Sequence, residues 1–316
     1  MIEQMSEEQL VEMEDVEKLI VIGDMHTENR VFNKVESKYR SELKSKSKVV
    51  MLLLGDMVSD LSLSEYDSIV SGRNPIYSSY EAYKKEAGTR AYDLLLKIKQ
   101  CKINYGDKFH ILPGNGELDY LNKRGGESFR NEVRKRGSLE AVEKIITTMP
   151  LFLVASVGGK KYLFSHGGLV RSSKFAQTIL PNSKSKQDPL MPLRSFPRYS
   201  SDESVIINEK SGKKITRNLE GFQKICYTTA KDDINPPECV REVCEQFQVD
   251  YQICGHIHLF GPKQEEIQKL AIRIPQSNLS YGKTDNGVMH IVNSMGLNGI
   301  HTYLEITSNG IEVKTI

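Results

Sequence analysis

Apolar residues fall in short runs along this chain, separated by stretches of helical spacing. "KLIVIG" and "KVVMLLLGD" predict two buried strands, and the unbroken apolar stretch of the second suits a sheet covered on both faces. Between and around them Val31, Val35, Tyr39 and Leu43 recur every four residues, which predicts an amphipathic helix over 28–43. Residues 79–100 predict another, with Ala91, Leu94, Leu95 and Ile98 on one face, and "KFHILPGN" predicts a third strand. A helical region over 127–149 is interrupted at Gly137-Ser138, and "LFLVASVGGKKYLFSHGG" reads as a hairpin turning at Gly158-Gly159. Asn235-Pro236-Pro237 marks a helix start, with Val240, Val243, Cys244 and Phe247 facing inward. "DYQICGHIH" is a further strand, and residues 288–316 alternate in strand fashion.

Two stretches break the pattern. Residues 1–17 predict a polar, acidic arm, with Leu10, Met13 and Val16 at the spacing of a short helix. Residues 172–220 hold Pro181, Pro189, Pro192 and Pro197 among many Ser and Lys, and predict a long surface excursion. The remainder, 18–316, reads as one domain of α/β class without internal repeats.

Charge narrows the function classes. Lys plus Arg is 43 against 41 Asp plus Glu, a net +2, which gives no general argument for nucleic acid or an acidic membrane. The longest apolar run, Val49–Leu54, is too short to cross a bilayer, so no transmembrane segment is expected, and the acidic start does not suit a Sec-type signal. The 5 cysteines contain no Cys-x-x-Cys pair, which fits a reducing, cytoplasmic compartment.

Candidate chemistry lies at the strand ends. "GDMH" offers Asp24 and His26, "GDMVSD" offers Asp56, "GNGE" offers Asn115, "SHGG" offers His166, and "GHIH" offers His256 and His258. Sites in α/β sheets form outside the carboxyl ends of strands. Carboxylate, imidazole and amide oxygen suit Mn, with Fe or Zn as alternatives. The donors exceed the needs of one ion. Two ions about 3.5–4 Å apart could share one carboxylate and activate a water against phosphorus.

The order GD-x-H, GD-x-x-x-D, GN-x-E, HGG, GH-x-H resembles the calcineurin-like metallophosphoesterase superfamily. "ESFRNEVRKRG" and "MPLFLVASVGGKKYLFSHGGL" are similar to segments of its phosphoprotein phosphatase family. The likeness covers roughly residues 18–170 and 238–262. A divergent branch of bacterial effectors of the Legionella Wip type is a further resemblance, which would place the chain in a host cytosol. The resemblance implies an αββα sandwich of two mixed β-sheets flanked by helices, and two divalent ions. Asp24 and His26 would hold the first ion, Asp56 would bridge, and Asn115, His166 and His256 would hold the second. His258 matches the wider superfamily, where that slot reaches the first ion. The implied activity is hydrolysis of a phosphorylated protein by direct attack of a metal-bound hydroxide, at Ser/Thr by family default and at Tyr as an alternative.

Three departures matter. Gly116 replaces the general-acid histidine, Ser59 replaces the aspartate that pairs with it, and Asp60 stands where an arginine would hold phosphate. Asp60 could take the partner role of the acid but cannot replace a cation. Arg194, Arg198 and above all Arg217, in "ITRNLEGF", are candidates for the missing cation. His110 is expected to point away from the site, and His290 and His301 have no assigned place. The interval from Asp56 to Asn115 is also long, which predicts an insertion near 60–90, either a substrate-reading lid or neutral. Gly116 can be part of a working design or a substitution that silences the chain. Two rival functions therefore stay open: a nucleotide or dinucleoside polyphosphate hydrolase, and a metal-binding pseudophosphatase.

Overall fold

The computed structural model describes residues 9–45, 47–70, 77–121, 126–169, 188–194, 205–207, 214–216, 236–257, 259, 268, 271–275, 280–295 and 301–316. Among them the strands are β1 (Leu10–Val16), β2 (Lys18–Ile22), β3 (Val49–Leu53), β4 (Phe109–Ile111), β5 (Phe152–Val157), β6 (Lys160–Phe164), β7 (Val205–Ile207) and β8 (Lys214–Thr216). They continue with β9 (Tyr251–Cys254), β10 (Ile272–Arg273), β11 (Tyr281–Thr284), β12 (Met289–Val292), β13 (Thr302–Thr307) and β14 (Gly310–Thr315). The helices are α1 (Asn29–Lys44), α2 (Leu63–Val70), α3 (Tyr80–Tyr105), α4 (Asn115–Leu121), α5 (Glu127–Lys135), α6 (Leu139–Thr147), α7 (Met191–Arg194) and α8 (Pro236–Phe247).

Two mixed sheets stack face to face. One has the order β14-β13-β2-β3-β4, the other β1-β5-β6-β9-β12-β11-β10. Leu19, Val21 and Leu52 of the first meet Leu153, Phe164 and Ile253 of the second in one buried cluster. The outer face of the first sheet, with Ile20, Met51 and Phe109, is covered by α1, α3, α5 and α6. The outer face of the second is covered by α8, through Val243 and Phe247, and by Leu193 of α7. This is the expected αββα sandwich. Parallel pairing of β2, β3 and β4, buried on both faces, explains why the first two read as continuous apolar runs.

The helix boundaries follow local chemistry. Glu28 caps α1 by accepting from the Arg30 N–H, and Ser79 caps α3 by accepting from the Ala82 N–H. Gly106 ends α3 with φ 58°, a conformation that favours glycine.

The helical expectation for residues 10–16 is overturned. They form β1, paired in parallel with β5. Val11 and Met13 pack on the inter-sheet core at a spacing of two. The register then shifts between Met13 and Val16, at Asp15 with φ 54°, and Val16 rejoins the same core. A bulge adds one residue to a strand. It makes the interval from Met13 to Val16 three residues, and Leu10, which packs on the opposite face of the sheet, adds a second interval of three, so the pattern reads as helix. The excursion over 172–220 lies largely outside the described residues, as do Arg198, Arg217 and His258.

Candidate metal centre

Six polar side chains converge beyond the carboxyl ends of five strands. Asp24 and His26 follow β2, Asp56 follows β3, and Asn115 follows β4 as the first residue of α4. His166 follows β6 and His256 follows β9. All but the half-buried Asn115 are buried. Donor atoms of Asp24, His26 and Asp56 lie within 4.8 Å of one another, and so do those of Asp56, His166 and His256. Asp56 belongs to both groups. Its Oδ2 lies 3.6 Å from His26 Nε2 and 3.5 Å from His166 Nε2. Asn115 Oδ1 is 3.0 Å from His166 Nε2 and 2.8 Å from His256 Nδ1.

This donor set calls for positive charge. His166 Nδ1 donates to the Leu54 carbonyl at 2.7 Å, which turns Nε2 toward the oxygens of Asp56 and Asn115. Burial pulls the His166 imidazole down, but the Asp56 and Asp24 carboxylates outweigh it and hold the group up at about 9. Burial pushes the Asp56 carboxyl up, yet His166 and His26 beside it hold it well below the usual carboxylate range. Oxygen and imidazole donors of this kind fit divalent ions of the first transition row. The two donor groups have the chemistry of a divalent-metal site, and Asp56 is common to both.

The loops that carry these donors are strained and tied down. His26, Asp56 and His256 have φ of 43°, 51° and 59°, the left-handed region that costs a non-glycine residue about 1 kcal/mol or more. Cross-bonds hold them there. The His26 N–H donates to the Asp56 carbonyl, and the His256 N–H to Asp24 Oδ2, each at 2.8 Å. Glu117, fully buried, accepts from the N–H groups of Gly114, Asp56, Met57 and Val58 at 2.7–3.1 Å. Ser294 accepts from the Gly23 N–H and donates its own N–H to the Asp24 carbonyl. Gly114 leaves room for this packing, since a Cβ there would stand 2.4 Å from the Asp56 N and Oδ1.

Gly116 is not an open vacancy. Its N–H donates to Asp56 Oδ1 at 2.6 Å, and a Cβ added to it would lie 2.2 Å from the Ser59 Cβ. Ser59 fills the space a side chain at 116 would need. Asp60 lines the cleft with its Oδ2 engaged, accepting from Lys84 Nζ at 2.6 Å. Arg194 pairs with Glu12 and Asp188 and does not line the metal cleft. Nor do His110, His290 or His301.

The cleft above the donors has a volume of about 430 Å³. Leu61, Ser62, Glu65, Tyr80 and Lys84 form one wall. Residues from the 60–90 stretch thus line the cleft beside the donors. Tyr83, fully buried on α3, donates its hydroxyl to the His26 carbonyl at 2.9 Å and accepts from the Leu61 N–H at 3.1 Å. Sequence reasoning assigned no role to Tyr83, Lys84, Glu117 or Ser294. Only Glu117 carried a signal, as the fourth residue of "GNGE".

Comparison with protein families matches residues 17–260 to the calcineurin-like phosphoesterase family. Human serine/threonine-protein phosphatase 5 is 26% identical over 141 residues, which cover 44% of this chain and 28% of that protein. The match thus spans little more than a quarter of that relative. A Saccharomyces cerevisiae protein serine/threonine phosphatase aligns with TM-score 0.54 at 15% identity, over 98% of this chain and 84% of its own. A cold-active protein-tyrosine phosphatase of a psychrophilic Shewanella species aligns with TM-score 0.55 at 12% identity, over the same shares, 98% and 84%. At such identities the likeness is one of fold.

Proposed function

The chain belongs to the calcineurin-like phosphoesterase family, and from that premise we propose that it is a dinuclear metal-dependent phosphatase acting on phosphorylated protein. The observation that carries this reading is the pair of buried donor groups sharing Asp56. Asp24, His26 and Asp56 would hold one ion, and Asp56, Asn115, His166 and His256 the other. Bound divalent ions supply a water activated at neutral pH and draw off negative charge as phosphorus is attacked. The chain's own residues do the rest. Leu54 fixes the His166 ring through its carbonyl, and Glu117 fixes the Asp56 loop. The Gly116 N–H orients the Asp56 carboxylate. We keep Mn as the first metal to test.

The closed packing at Gly116 bears on the substrate. General-acid help is typically worth about 10²–10⁴-fold. A tyrosine leaving group has a pKa of about 10, whereas a serine alkoxide is nearer that of water, about 15.7. Without an acid at position 116, phosphotyrosine loses least. The proposal therefore favours phosphotyrosine over phosphoserine and phosphothreonine.

The test is phosphate release from matched phosphotyrosine and phosphoserine/threonine peptides, with Mn²⁺ and with chelator. The expected result is Mn-dependent release, faster from phosphotyrosine, and lost by more than about 100-fold in Asp56→Asn. Absence of metal-dependent release from every phosphopeptide would sink the phosphatase reading. Equal rates on the two peptide classes would sink only the preference. Gly116→His alone is a poor rescue, because the new Cβ meets Ser59; it belongs with Ser59→Gly.

A further inference from the structure

This inference rests on the phosphatase reading and deepens it. Asp60 occupies the position where the family's arginine would hold phosphate, so the second motif brings a carboxylate to the cleft. In the fold Asp60 brings a cation with it. Lys84, from the first turns of α3, donates to its Oδ2 at 2.6 Å. Asp60 is deeply placed, its side chain 5% exposed, while that of Lys84 keeps 31%. Lys84 lines the same cleft as His26, Asp56, Asn115 and His256. Among the described lining residues it is the one Lys or Arg, set against Asp60, Glu65, Asp119 and Glu127. An ammonium has three donors, and Asp60 takes one. Such an acidic wall repels a phosphate dianion unless a fixed positive charge stands beside it.

We propose that Lys84, aimed by Asp60, binds a non-bridging oxygen of the substrate phosphate in the metal cleft. A lysine on α3 thereby does the work of the arginine that the second motif lacks. The rival account is an ion pair that merely neutralises a buried aspartate. The two differ in what they do to phosphate.

The experiment is calorimetric titration of the Mn-loaded protein with inorganic phosphate, with metal content measured in parallel. It is paired with steady-state kinetics on p-nitrophenyl phosphate. Lys84→Met should weaken phosphate binding by about 10- to 100-fold, the range for a hydrogen bond involving a charged group. It should raise KM by a similar factor with a smaller effect on kcat, because the contact exists before the transition state. Lys84→Arg should stay within a few-fold of the parent. Lys84→Gln, which can still donate to Asp60, carries the comparison if the methionine variant does not fold. A folded, metal-loaded Lys84→Gln protein that binds phosphate within twofold of the parent would overturn the assignment. The titration decides the point even if the parent protein turns nothing over, an outcome that would remove the phosphatase reading alone.

Discussion

A methyl group at position 116 would press on the Ser59 Cβ at 2.2 Å and on Asp56 Oδ1 at 3.1 Å. Position 116 lies in the first turn of α4, where glycine-to-alanine changes ordinarily stabilise by up to about 1 kcal/mol. Here overpacking reverses the sign. Gly116→Ala should cost about 1–3 kcal/mol in chemical denaturation, and it should weaken metal binding by displacing the bond to Asp56. A gain in stability would mean that Ser59 yields freely. The histidines away from the metal site make a second prediction at this scale. Burial, with Lys102 nearby, pulls His110 down to about 4, and burial, with Lys283 nearby, does the same for His290. In the unfolded chain both titrate near 6.5. Their contribution is therefore whole above about pH 6.5, drains as pH falls toward 4, and declines no further below that. Each adds a slope of up to about 1.4 kcal/mol per pH unit in that window. His110→Leu should flatten the fall in urea-melt stability between pH 6.5 and 4; parallel profiles for variant and parent would refute it.

At the scale of elements, the candidate donors are legible wherever one closes its own strand. Asp24, Asp56, Asn115, His166 and His256 each follow an apolar run through a short polar or glycine-containing turn, so strand and donor are read together. What comes from helices is not. Tyr83 and Lys84 reach the site from α3 across 57 and 24 residues of chain, and helical spacing identifies a buried face without naming what it touches. The bulge in β1 hid a strand for a related reason, since one unpaired residue changes the period. Asn115–Leu121 does not read as a helix because, at 7 residues, it is too short to show a period. The Tyr83 hydroxyl, which joins the loops after β2 and β3, gives a prediction here. Tyr83→Phe leaves the Leu61 N–H and the His26 carbonyl without this partner. It should cost about 1–3 kcal/mol of stability and reduce metal affinity, measured by competition with a chelating dye. Unchanged affinity in a destabilised variant would confine Tyr83 to packing.

For the whole molecule, the two donor groups draw on both sheets: β2, β3 and β4 from one, β6 and β9 from the other. Ions bound there stabilise the folded protein by mass action. Thermal unfolding should move upward with Mn²⁺ concentration and downward with chelator, and Asp56→Asn should abolish the dependence. A melting temperature indifferent to metal would mean that the donors hold none. The pairing of β13 with β2 has a consequence in time. Leu304 and Ile306 stand beside Val21 and Leu19, so β2, the strand before Asp24, gains this neighbour only after about 280 further residues have been made. At about 5–20 residues per second the delay is on the order of tens of seconds. A nascent chain that has already emerged past His256 possesses all six of these donors in sequence before β13 can pair with β2. A ribosome-bound chain that stops short of β13 would thus leave one edge of β2 unpaired, and is expected to hold the Asp24 loop less firmly than the folded protein.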